Sequence, residues 1–385
     1  MKDAQATRPL TIRQLWITNQ IIVRGVDRKL LDQLEMSDEV SSMTEEIFYP
    51  IEEPIEKIVH PNGTVPSAGE QWGVSAIQAP SVWASGYRGS GAVIATIDTG
   101  VRGTHIALRN NFRSNYGWYD PYSGTSTPND QNGHGTHTAG TIAGQTNGIG
   151  VAPDAKWISC KGCSTNGCSS YALLECGQWT ACPTNTQGYY PNCALAPNAV
   201  SNSWGGGQGS TWYNDVIATW KAADIAPLFS SGNAGPACST ANSPADAVDA
   251  IAVGSTTSSN GLSSFSSVGP TIVGRRVKPD IAAPGSSVVS AYYTSDTAYA
   301  TLSGTSMACP HAAGLSALLY GASPNLSYSQ IKSVLKGGCQ RVTSSGRNCG
   351  GISESSYPNN HVGSGRISAT ASFQLLRQML PEIKV

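Results

Sequence analysis

Charge is scarce in this sequence. Its 385 residues carry 24 Lys and Arg against 25 Asp and Glu, a net of −1, and charged residues make up only 13% of the chain. No field of either sign is available to gather nucleic acid or an anionic membrane surface, so neither is expected as a partner. Long apolar runs are missing too. The uncharged stretch Ala312–Ala322 falls far short of the ~20 residues that a membrane span needs. No apolar segment follows Met1-Lys2-Asp3-Ala4-Gln5, so no signal peptide is read there and a truncated start is expected. Cysteine is absent before Cys160, and all ten lie between Cys160 and Cys349.

What charge there is divides the chain. Residues 1–70 hold 7 Lys and Arg and 12 Asp and Glu, whereas residues 71–385 hold 17 and 13 and are rich in Gly, Ser, Thr and Ala. Three segments follow: a small first unit over 1–50, a Pro- and Glu-rich linker over 51–70 that suits proteolysis, and a large domain over 71–385. In the first unit Trp16–Arg24 reads as a strand, Asp27–Glu35 as a helix capped by Asp27, and Val40–Ile47 as a second strand. In the large domain apolar runs at Ala92–Asp98, Lys156–Cys160, Ala199–Trp204, Ala226–Ser231 and Ala250–Val253 read as buried strands. They alternate with helical runs at Gly135–Ala143, Tyr171–Trp179, Trp212–Ala223 and Ser306–Tyr320. Such alternation predicts an α/β fold, a mostly parallel sheet with helices on both faces and reactive residues at the strands' carboxyl ends.

Three short segments carry chemistry. Asp98 ends a strand in Asp98-Thr99-Gly100, His134 stands in Asn132–Gly140, and Ser306 in Gly304-Thr305-Ser306-Met307-Ala308. A serine hydroxyl is a poor nucleophile alone; it needs a neighbouring base, and the base needs an orienting carboxylate. Taken singly, each has an ordinary reading: a turn, a partial metal pair with His137, a loop. Aspartic-type hydrolysis through Asp98 lacks a second Asp-Thr-Gly, and a His-Glu-x-x-His zinc pattern is absent. The Cys160/Cys163 pair has no matching set at zinc-finger spacing.

These segments, with Ser231-Gly232-Asn233-Ala234-Gly235, resemble the subtilisin-like serine proteases, the subtilases, from about Gln71 to Ala322. Gln71-Trp72-Gly73, Gly150–Pro153, Asn202–Gly206 and Lys278–Gly285 are similar to the bacillopeptidase F-like branch. The resemblance implies a serine endopeptidase in which Ser306 is the nucleophile, His134 the general base and acid, and Asp98 the orienting carboxylate. It implies that the Asn233 amide and the Ser306 backbone N–H hold the oxyanion. Protein or peptide substrates would lie between Asn166-Gly167-Cys168 and Ser203-Trp204-Gly205, with Trp204 either reshaping the primary pocket or serving as a core aromatic. Relatives with a tight calcium site use a carboxylate at the position of Ala107. That site is expected to be absent here, and no cofactor is required.

The same resemblance makes 1–50 part of an inhibitory pro-domain, acting on its own enzyme and removed by self-processing up to about Gln71. The cysteines predict disulfides and hence an extracellular setting, with Cys339–Cys349 the first bridge expected and Cys309 free. Sequons stand at Asn62 and Asn325. A monomeric secreted zymogen is the leading expectation; a folded product that binds without cleaving, for want of a complete pro-domain, is the alternative.

Overall fold

The computed structural model describes residues 10–51, 53–61, 63, 65 and 69–383. The Met1–Gln5 opening, Pro66 and the Asn62 sequon lie outside the described residues. Among the described residues no helix is long and apolar enough to cross a membrane.

Strand-forming runs of Val, Ile and Ala build the central sheet. Among the described residues it has nine strands, in the order Cys339–Gln340, Arg366–Ile367, Ile281–Pro284, Ile251–Thr256, Ala226–Ser230, Ala199–Asn202, Val93–Asp98, Lys156–Lys161 and Trp118–Tyr119. All neighbours are parallel except the first pair. Successive side chains of a strand face opposite ways, and both faces are covered. Ile94, Leu228 and Val253 pack with helix Thr305–Ala322. Ala95, Ile97 and Phe229 pack on the other face with helices Ser170–Ala181 and Asn214–Ala222. The chain leaves Val93–Asp98 for the strand on one side and later returns to the strand on the other. The carboxyl end of that strand, Asp98, therefore marks the crevice at which α/β sheets bind ligands.

The first unit departs from its sequence reading. The run Trp16–Arg24 is not one strand but part of a hairpin, Thr11–Leu15 paired with Gln20–Arg24, because Asn19 takes a left-handed conformation (φ 51°) in the turn. Helix Arg28–Glu35 forms as expected, with the Asp27 carboxylate accepting from the Leu30 N–H at 2.8 Å. No strand forms over Val40–Ile47; pairing begins one residue later, at Phe48–Tyr49. The linker is not wholly loop either, since Glu56–His60 is a strand on the edge of Tyr299–Ser303.

Four disulfides close the large domain: Cys160–Cys176, Cys163–Cys168, Cys182–Cys193 and Cys238–Cys349. The expected Cys339–Cys349 bridge is thus corrected. Cys339 lies at the sheet edge with its thiol on the Leu335 carbonyl, while Cys349 belongs to a separate two-stranded hairpin that meets the Cys238 loop. Nearness in sequence did not bring those two side chains together. Cys309 is free and buried, as expected.

Candidate active site

Asp98, His134 and Ser306 are 2%, 2% and 1% exposed. The Asp98 carboxylate accepts from the Thr99 N–H at 2.7 Å, the Thr138 hydroxyl at 3.2 Å and His134 Nδ1 at 2.8 Å. A carboxylate can only accept, so Nδ1 carries the proton and Nε2 is left as a base. Among the described residues Nε2 has no hydrogen-bond partner. Burial by itself pulls the imidazole pKa down. The Asp98 charge and hydrogen bond, helped by Asp130 and Glu53, carry it above its ordinary value.

The loop before His134 is held by a residue the sequence reading passed over. Asp130 accepts from the hydroxyls of Thr99 and Thr136 and from the N–H groups of Asn132, Gly133 and Thr136. Burial pushes its carboxyl up, against the pull of these bonds. It ties the Asp98-Thr99 turn to the first turn of helix His134–Ala143. Its place before Asn132-Gly133, a turn-forming pair, was the available signal. Gly133 is required there: at φ 101° a Cβ would lie 2.4 Å from the Tyr292 ring. His137, a possible metal partner in sequence, instead donates from Nε2 to the Val288 and Ala300 carbonyls, and burial pushes it down to about 3.

Ser306 stands at the start of helix Thr305–Ala322, where backbone N–H groups lack intrahelical partners. Its hydroxyl donates to the Ser203 carbonyl at 3.3 Å, and the Ser203 hydroxyl returns a bond to the Ser306 carbonyl at 3.1 Å. Ser203 follows strand Ala199–Asn202, the immediate neighbour of the Asp98 strand, which places Ser306 one strand away from the carboxylate. Asn233 is fixed by its oxygen: Oδ1 accepts from the Thr305 N–H and hydroxyl, both at 2.8 Å. That leaves the buried Nδ2 as a donor with no partner among the described residues. The site thus holds a poised base, a hydroxyl and an aimed, unspent amide.

The two expected walls differ. Asn166, Gly167 and Cys168 form a tight hairpin clamped by Cys163–Cys168. Its edge pairs with Phe48–Tyr49 of the chain itself, and Gly167 (φ 125°) lets the Tyr49 carbonyl come close. On the other wall Gly205 has no room for a side chain, since a Cβ would lie 2.7 Å from the Ser243 carbonyl. Trp204 is 2% exposed and packs edge-on against Tyr213 and Phe229, which places it in the core. The half-buried member of that aromatic group is Trp212, which Tyr49 stacks on at 5.3 Å and 10°. Sequence reading missed Trp212 because its run reads simply as helix.

Ala107 is fully buried beside Val101, Leu108 and Ile149, and its carbonyl takes the Gln145 N–H. A tight calcium ion needs several oxygen ligands, and the Ala107 side chain supplies none. Among the described residues no group of three or more His, Cys, Asp or Glu could hold a metal ion.

Comparison with known proteins bears on the family of the whole chain. The subtilase family (peptidase S8) profile matches residues 89–356. Bacillopeptidase F of Bacillus subtilis (strain 168) is 39% identical over 323 residues, covering 78% of this chain but only 22% of that protein. Subtilisin DY of Bacillus licheniformis is 35% identical over 270 residues, 69% of this chain and 89% of the relative. Thermitase of Thermoactinomyces vulgaris is 36% identical over 284 residues, 72% of this chain and 91% of the relative. With a mostly parallel nine-stranded sheet among its described residues and these matches, the chain belongs to the subtilase family and is a subtilisin-like serine endopeptidase.

Proposed function

We propose that the chain is a secreted, monomeric endopeptidase made as a self-processed zymogen, working through Asp98, His134 and Ser306. The observation that carries this reading is the buried 2.8 Å bond from His134 Nδ1 to Asp98, which leaves Nε2 without a partner among the described residues. In the reaction a turn of the Ser306 side chain moves its hydroxyl from the Ser203 carbonyl to Nε2. His134 takes the proton as Oγ bonds to the substrate's carbonyl carbon, and the oxyanion sits on Asn233 Nδ2 and the Ser306 N–H. The proton then passes to the leaving amine as the C–N bond breaks, and water, activated by the same base, releases the acyl group. No cofactor enters these steps. Four disulfides support an oxidising, extracellular setting.

The zymogen reading rests on where the chain runs. It comes in along the Gly167–Ser169 edge as Phe48–Tyr49 and goes out along the Tyr299–Ser303 edge as Glu56–His60. Between these strands Glu53 is near enough to act on the charge of His134, and the Ile55 N–H bonds the Ser303 carbonyl at 2.8 Å. On this reading the bond presented to Ser306 belongs to the stretch between these two strands, well before Gln71, whose N–H bonds the Gly148 carbonyl. Residues 1–50 act as an intramolecular inhibitor, and trimming toward Gln71 follows the first cut. The test is a time course of N-terminal sequencing and casein hydrolysis for wild type and Ser306→Ala in a protease-free background. Wild type should be cut between Tyr49 and Glu56 and become active. The variant should stay uncut and lose about 10⁶ in turnover; equal trimming of both would exclude self-processing.

A further inference from the structure

The chain's own path also displays how a substrate would be held beyond the cut bond. Glu56–His60 lies antiparallel to Tyr299–Ser303 over five residue pairs, from Glu56 opposite Ser303 to His60 opposite Tyr299. Ser303 is also close to the reacting centre, since it precedes Gly304-Thr305-Ser306. Main-chain pairing of this kind gives affinity, and pockets for alternate side chains give selectivity.

One such side chain has a built receptor. A Glu56 carboxylate oxygen, Oε2, accepts from the Ser287 hydroxyl at 2.7 Å and the Ser303 hydroxyl at 2.8 Å. Neither hydroxyl is free to turn away without loss. Ser303 Oγ accepts the Ser287 N–H at 2.7 Å, so its own hydrogen points outward as a donor. Ser287 is held at φ 50°, with its carbonyl bonded by Trp72 Nε1 at 3.1 Å. A non-glycine residue in that region signals a position the fold determines. The two bonds hold the Glu56 carboxyl below its ordinary range, so they favour its charged form. At the next position Lys57 Nζ reaches over the Tyr292 ring, 5.4 Å from its centroid.

We propose that, once the N-terminal segment is gone, the edge of Tyr299–Ser303 takes the departing side of a protein substrate as an added strand, and that the Ser287 and Ser303 hydroxyls form a subsite for an acidic side chain at the position Glu56 holds here. This deepens the peptidase reading above and rests on it. The subsite selects substrates by a residue well beyond the bond that is cut. A substrate without residues there does not report it.

The test uses the full chain, expressed and left to mature. Three internally quenched peptides reproduce residues 48–60 with Glu, Gln or Lys at the place of Glu56, and a peptide p-nitroanilide with nothing beyond the cut bond reports peptidase activity alone. The Glu peptide should show a kcat/KM about fivefold above the Gln peptide, the scale of charge-assisted hydrogen bonds at a half-exposed site, and further above Lys. Ser287→Gly removes one hydroxyl where the backbone suits glycine and should bring the Glu-to-Gln ratio toward one. Equal rates for the three peptides, or a ratio unchanged by Ser287→Gly, would overturn the subsite while the anilide is still cleaved. No cleavage of the anilide would sink the peptidase reading, and the subsite with it.

Discussion

Two helices show how differently the two parts of this molecule are held. Thr305–Ala322, which begins at the Ser306 turn, is buried from Thr305 to Tyr320, whereas Arg28–Glu35 in the N-terminal unit buries none of its residues. Asp98, His134 and Ser306 thus stand on elements locked by the core. Among the described residues the N-terminal hairpin buries Leu15 and Ile17 in a cluster, with Ile22 packed against it, and that cluster belongs to the large domain. Two such side chains supply roughly 1.5–3 kcal/mol each, with a stacked Tyr49–Trp212 pair and two edge strands added. A grip made of a few side chains and strand edges is what the proposed self-processing would ask of a removable segment. On the proposed reading this segment would take the substrate's place, and its described residues build no core of their own.

The predictions sharpen that contrast, taken from the rigid part outward. Asp98→Asn should lower kcat about 10⁴-fold, because the imidazole loses its correct tautomer. The same variant tests the pH behaviour. His134 must be neutral to act as base, and its pKa is raised by Asp98 against the cost of burial. The acid limb of the kcat/KM profile should therefore lie above the ordinary histidine value and move to lower pH in the residual activity of the variant. For stability the sign is opposite: a raised histidine pKa favours the fold most below the unfolded value near ~6.5 and is lost as pH rises through the folded value. Denaturant titrations against pH should show this increment in wild type and not in Asp98→Asn.

Asn233→Ala comes next. Its unspent Nδ2 predicts a loss of about 10²–10³ in kcat with little change in KM, read on a peptide anilide. The smallest effect belongs to the loosely held part. In a Ser306→Ala background Tyr49→Ala removes a stack worth about 0.5–1.5 kcal/mol, so an added protease should clip the N-terminal segment roughly 2- to 10-fold faster. A rate unchanged by this substitution would mean that the stack does not hold the segment in place.

The same contrast decides what could be read from sequence. Val93–Asp98, Ala199–Asn202 and helix Thr305–Ala322 announce themselves because a fully buried element needs a continuous apolar run, and Asp98 and Ser306 sit at the ends of two of them. Pairings between distant segments leave no such trace. His60 meets the Thr301 hydroxyl across 241 residues, and Glu56–His60 shows a mixed, largely exposed pattern that reads as linker. Cys349 finds Cys238 across 111 residues while Cys339, close in sequence, faces another way. Trp204 sits on a strand-to-loop turn whose neighbours Tyr213 and Phe229 only the fold supplies. Asp130 is the instructive miss: its five donors come from two turns that sequence reading treated as separate motifs.

The central claim is that Ser306 is the nucleophile beside a poised His134. A biotinylated fluorophosphonate, which reacts only with an activated serine, tests it in one step when the labelled protein is digested and mapped. One modified peptide is expected, containing Thr305-Ser306-Met307, with labelling that rises as the N-terminal segment is released and is abolished in His134→Ala. Label on another serine, or equal labelling of Ser306 in the His134→Ala protein, would contradict it.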